Sequence, residues 1–135
     1  MNLKFSTLLL AASVSLCSVV HAAPAPAAGM PDAATLKQIY DTSRSMSGLI
    51  AYCVEQGVLK KDSQAEAAKM VDYVTNMPAT FDKSAGDALE KNGRQGMIQG
   101  NDGKLVNIKD APQGLETWCK GADEGMRQGL KSMQP

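Results

Sequence analysis

The sequence predicts an all-α fold: a small four-helix domain with one disulfide and a glycine-rich loop or short hairpin between helices three and four. Three observations carry this expectation. Apolar residues recur at helical spacing through most of the chain beyond residue 30. Aromatic residues make up only 4 % of the chain and β-branched runs are short, which argues against a sandwich or barrel. Cys53 and Cys119 fall within the first and last helical stretches.

The chain opens with the pattern of a secretory signal peptide over residues 1–22. Lys4 supplies the positive start, Phe5–Val20 is an uncharged run of apolar and small residues, and Val20-His21-Ala22 offers a cleavage site after Ala22. The run falls short of the about 20 residues a spanning helix needs. Leu16 is too bulky to precede a lipidated Cys17. Residues 23–30 read as a flexible Pro/Ala tail. Residues 31–135 form the single helical domain, sized for one modest core.

Removal of the leader changes the chemistry available. It takes away Cys17 and His21, the only histidine. The expected location is therefore periplasmic or secreted. Two cysteines in an oxidising compartment leave one intramolecular pairing, Cys53–Cys119. No Cys-x-x-Cys supports a redox role.

The first helix begins near Pro31-Asp32, with Asp32 as N-cap. Leu36, Ile39, Tyr40, Ser43, Met46, Ile50, Cys53 and Val54 follow at helical spacing, and Gly57 fits a C-terminal stop. Gly48 is a weak point where the helix could bend. The second helix is expected to start at a capping box, Ser63 with Glu66, and to end near Pro78. Ala67, Met70, Val71, Val74 and Met77 form its stripe. The third is expected over Ala79–Lys91, with Phe81, Ala85 and Leu89 on one face and Gly93 as terminator.

Gly93–Ala111 breaks the helical pattern. Met97-Ile98 and Leu105-Val106-Asn107-Ile108 flank Asn101-Asp102-Gly103, and Asp-Gly between apolar pairs signals a small hairpin. The fourth helix is expected from Asp110, where Asp110 and Gln113 make a weaker capping box. Its apolar face carries Leu115, Trp118, Cys119, Ala122, Met126, Leu130 and Met133. Gly121, Gly125 and Gly129 repeat along its flank. Each costs roughly 1 kcal/mol against alanine in a helix, so close packing on helix one or two is expected to offset it. A partner or homodimer surface is the alternative.

Several function classes lose support. Lys plus Arg and Asp plus Glu each number 14, so no basic excess attracts nucleic acid. Without histidine there is no Ser-His-Asp triad, Cys-His pair or His-based zinc site. The glycine-rich loop matches neither a P-loop nor a twelve-residue calcium loop. Met30, Met46, Met70, Met77, Met97, Met126 and Met133 form no dense copper-binding cluster, and the pairs Met70/Met77 and Met126/Met133, each one heptad apart, are at core spacing. No enzyme, metal or cofactor is expected, and no membrane span.

A long loop on a stapled scaffold favours recognition. The leading expectation is a non-enzymatic binding protein that contacts another envelope protein, of inhibitor or immunity type. Met97, Ile98, Leu105 and Ile108 would make its apolar contacts, with Arg94, Asn101, Asp102 and Lys104 around them. One alternative is an acid-stress chaperone, since 14 carboxylates would neutralise at low pH. Another is a small-ligand carrier with a pocket near Tyr40, Tyr52, Tyr73 and Trp118. The layout is similar to acid-stress periplasmic chaperones and to periplasmic immunity proteins that neutralise cell-wall-degrading toxins. Their cysteine contexts do not line up with Tyr52-Cys53-Val54 or Trp118-Cys119-Lys120, so no residue roles carry over.

Overall fold

The computed structural model describes residues 31–100 and 102–133. The expected signal peptide, the Pro/Ala tail and Asn101 lie outside them. Four helices run as α1 (Ala33–Glu55), α2 (Lys61–Thr75), α3 (Gly86–Arg94) and α4 (Leu115–Met133). A two-stranded antiparallel hairpin, β1 (Met97–Gln99) and β2 (Leu105–Asn107), lies between α3 and α4, followed by a 3-10 turn over Ile108–Asp110.

Helix α1 is bounded by local chemistry at both ends. Asp32 Oδ1 accepts the Thr35 N–H at 2.7 Å, satisfying one orphan donor of the first turn. This bond holds the Asp32 carboxyl below its usual pKa. At the other end Gly57 adopts φ +75°, the Val58 N–H bonds the Cys53 carbonyl and the Gly57 N–H bonds the Val54 carbonyl. That pair of bonds is a Schellman stop.

The most extensive helix contact is between α1 and α3, and it is built on two glycines. A Cβ at Gly48 would collide with the Glu90 carbonyl oxygen, and one at Gly93 would sit 2.5 Å from the Ser45 carbonyl oxygen. Both obstacles are backbone, so the helices touch there without side chains between them. Arg44 closes the crossing: its guanidinium meets Asp87 Oδ1 at 2.6 Å and Glu90 Oε2 at 2.9 Å and donates to the Tyr40 hydroxyl at 2.9 Å. Gly48 is thus a contact point, and Gly93 lies within α3.

Three element starts differ from expectation for tertiary reasons. Helix α2 begins two residues before Ser63, with no side-chain cap. Ser63 is buried and its Oγ accepts from Arg127 Nη2 of α4 at 3.2 Å, so it is unavailable for a capping box. Helix α3 begins at Gly86, seven residues later than expected. Phe81 instead docks on Tyr40, ring centroids 5.6 Å apart, and Asp82 Oδ1 accepts the Ser84 N–H at 2.9 Å. Helix α4 begins at Leu115: Asp110 ends the 3-10 turn, and Gly114, at φ +81°, turns the chain before the Gly114 carbonyl accepts the Trp118 N–H.

Two apolar clusters fill the interior. One gathers Leu49, Tyr52, Cys53, Ile108 and Cys119, with Ile98, Leu115 and Trp118 against it. The other gathers Ile50, Ala67 and Met126, with Met46, Met70 and Ala122. The Cys53–Cys119 disulfide lies in the first cluster and joins the end of α1 to the start of α4 across 66 residues. Among the described residues no helix is long and apolar enough to cross a membrane.

Candidate functional site

The hairpin stands on a buried base. Gly96 takes φ +74° directly over the Tyr52 ring, where a Cβ would sit 2.8 Å from the ring, and its carbonyl accepts the Ile108 N–H at 2.8 Å. Lys109 lies over the same ring with its Nζ 5.6 Å from the centroid. The Asn107 side chain accepts the Lys109 N–H at 2.9 Å and donates to the Gln95 carbonyl at 3.3 Å. The hairpin is therefore anchored at Tyr52, next to the disulfide, and Asp102, Gly103 and Lys104 near its tip are exposed.

The tip is a tight turn. Gly103 has φ +78° and its N–H bonds the Gly100 carbonyl at 2.9 Å, while the Gly100 N–H bonds the Lys104 carbonyl at 2.7 Å. Asp102 Oδ1 accepts the Lys104 N–H at 3.1 Å, and Lys104 Nζ lies 3.5 Å from Asp102 Oδ2. Asp102 and Lys104 thus serve the turn itself, as Asx residues commonly do.

Register sets which residues share a face of the ribbon. Met97 pairs with Asn107, Ile98 with Val106 and Gln99 with Leu105. Met97, Gln99, Leu105 and Asn107 share one face of the ribbon; Ile98 and Val106 share the other. Leu105 and Val106 are 50 % and 46 % exposed, high values for side chains of their size. Two clefts border the ribbon. One, of about 660 Å³, runs along α1 past Asp41, Ser45 and Leu49 to Leu105 and Trp118. The other, of about 680 Å³, lies between β2, Pro112 and Trp118.

The expected contact residues divide accordingly. Met97, Ile98 and Leu105 border the clefts. Ile108 lies at the floor of the second cleft but is 1 % exposed and belongs to the core beside the disulfide, so it holds the hairpin and offers almost no surface of its own. Arg94 ends α3 and is tied to Glu90 at 2.9 Å. Asn101 lies outside the described residues. Val106, absent from the expected set, joins Met97, Ile98 and Leu105: it is 46 % exposed and lines the second cleft.

The glycine flank of α4 is corrected. A Cβ at Gly121 or Gly125 would meet nothing within 4 Å, and one at Gly129 would touch only the Met70 methyl, at 3.1 Å. No backbone approaches there. Gly121 and Gly125 instead border an apolar groove of about 490 Å³ with Ile39, Met46, Met70 and Met133. The four aromatics expected to share a pocket are also dispersed. Tyr40 stacks near Phe81, Tyr52 lies under Gly96, Tyr73 borders a shallow cleft beside Pro78, and Trp118 borders the hairpin clefts. Among the described residues no group of three or more Cys, Asp or Glu side chains could hold a metal ion. No family model, curated protein or solved structure matches this chain.

Proposed function

We propose that this chain is a small exported, non-enzymatic binding protein that grips another envelope protein through the β1–β2 hairpin. The observation that carries the reading is the pair Leu105 and Val106, adjacent and half exposed on an outer strand whose base is fixed to the core. Exposed apolar side chains on a rigid base are what recognition surfaces present, because little ordering entropy remains to be lost on binding. The polar residues around them, Asp102, Lys104 and Asn107, are engaged in the hairpin's own hydrogen bonds. That supports binding rather than catalysis. The disulfide fits an oxidising compartment. An inhibitor or immunity role is consistent with a compact stapled body presenting an anchored ribbon with exposed apolar side chains.

The test is quantitative capture from envelope extract by the mature chain and by its Leu105→Asp/Val106→Asp variant, both shown to melt alike. Partner recovery should fall at least about tenfold in the variant, as expected when a central apolar anchor is replaced. Equal recovery would contradict the proposal.

A further inference from the structure

We infer that the partner is held by strand addition: an extended segment of another protein, apolar at every second position, pairs with the free edge of β2. The inference rests on the hairpin being the binding surface and adds the mode of recognition.

Hydrogen-bond parity defines the edge. The Gly100 N–H bonds the Lys104 carbonyl and the Ile108 N–H bonds the Gly96 carbonyl, while Ile98 faces Val106. Residues 96, 98 and 100 therefore exchange bonds with 108, 106 and 104. In an antiparallel ladder the intervening residues point their backbone groups outward. On β2 these are the N–H and C=O of Leu105 and of Asn107. The Asn107 carbonyl accepts from the Asp110 N–H in the 3-10 turn that follows, which leaves three outward groups, the Leu105 N–H and C=O and the Asn107 N–H. Their spacing of two residues, about 6.8 Å, is the repeat of an added strand. β2 pairs with β1 along one edge, and its exposed Leu105 and Val106 stand on opposite faces of the ribbon beside the other edge.

Side-chain space agrees with this geometry. Successive side chains of an added strand alternate between the two faces of the ribbon. One face leads to the cleft beside Leu105 and α1, the other to the cleft between Val106, Pro112 and Trp118. Both clefts are more apolar than polar, so apolar residues two apart are the matching chemistry. A second copy of this chain is the weaker occupant. Pairing two three-residue strands buries far less than the about 1,200 Å² that a stable interface needs, whereas a longer segment can enter both clefts.

The probe is a peptide selected on the mature chain from a random displayed library, with Leu105→Ala and Leu105→Pro as paired variants. Alanine keeps the outward N–H and removes the side chain. Proline removes the N–H as well and leaves the hairpin's own bonds intact, a substitution edge strands tolerate. Proline should weaken peptide binding about tenfold more than alanine does, the worth of one buried hydrogen bond. In the unsubstituted protein, bound peptide should slow amide exchange at Leu105 and Asn107, which keeps the test decisive even if the proline variant misfolds. Equal weakening by both variants, with exchange at the two amides unchanged, overturns strand addition while leaving the hairpin as the binding surface. A selection whose peptides ignore both variants overturns the surface as well. A concentration-dependent dimer abolished by Leu105→Pro would assign the edge to a second copy and overturn the inference.

Discussion

The α1–α3 crossing and the α4 flank both place glycines on helices, yet the two regions use them in opposite ways. At Gly48 and Gly93 each missing Cβ is occupied by the other helix's backbone. At Gly121 and Gly125 the missing Cβ leaves open groove. A glycine inside a helix announces its cost in the sequence, because the propensity penalty is local. What offsets that cost lies on another element and is invisible until the elements are placed. The difference also divides the molecule mechanically. Helices α1 and α3 are locked backbone to backbone and by Arg44. Helix α4 meets α1 over a shorter contact and is held by the disulfide, by Met126 in the second cluster, and by Arg127 reaching Asp62 at 3.1 Å.

Removing the staple gives the largest expected effect. Closing a 66-residue separation is worth about 4 kcal/mol on the chain-entropy model. The Cys53→Ala/Cys119→Ala variant should lose about that much in urea unfolding. Hydrogen exchange should rise first in α4, while α1 and α3 keep their protection. Uniform loss across all helices would erase the mechanical division.

The crossing comes next. Gly48→Ala or Gly93→Ala forces two backbones apart and should destabilise by about 3 kcal/mol, the upper range for overpacking. Gly121→Ala and Gly125→Ala should instead stabilise by roughly 0.5–1 kcal/mol each, since the new methyl meets nothing and the helix gains propensity. Urea midpoints read all four. Same-sign shifts at the two places would remove the contrast.

These opposite signs also mark what could be read from the chain. The Asp32 cap, the Gly57 stop and the Asp-Gly hairpin turn were legible because each is settled by bonds within a few residues. The Cys53–Cys119 pairing was legible because only two cysteines follow the expected leader. The starts of α2 and α3 were not, because Ser63 answers to Arg127 and Phe81 to Tyr40, partners far along the chain. Within the candidate site, the run from Leu105 to Ile108 was visibly apolar. Which members face solvent depends on how the hairpin sits on the core: Ile108, bonded to Gly96 at its base, is buried, while Leu105 and Val106, farther along the strand, are half exposed.

Acidification should produce the smallest effect, confined to element ends. The backbone hydrogen bond from Thr35 lowers the Asp32 pKa, that from Ser84 lowers Asp82, and the Lys120 hydrogen bond lowers Glu116. A carboxyl depressed on folding adds stability above its unfolded value and loses it as pH falls through the lower folded value. Stability should therefore be level above about pH 5 and decline progressively below about pH 4. Asp32→Asn should flatten part of that decline. No difference between Asp32→Asn and the parent below pH 4 would disconnect the cap from the acid response.

The most direct measurement places a photo-crosslinking residue at Val106 and, separately, at exposed Lys61 on α2, in the full-length protein expressed within intact cells. The hairpin account predicts a discrete protein adduct from position 106 and none from position 61. No adduct at 106, or the same adduct from both positions, would contradict it.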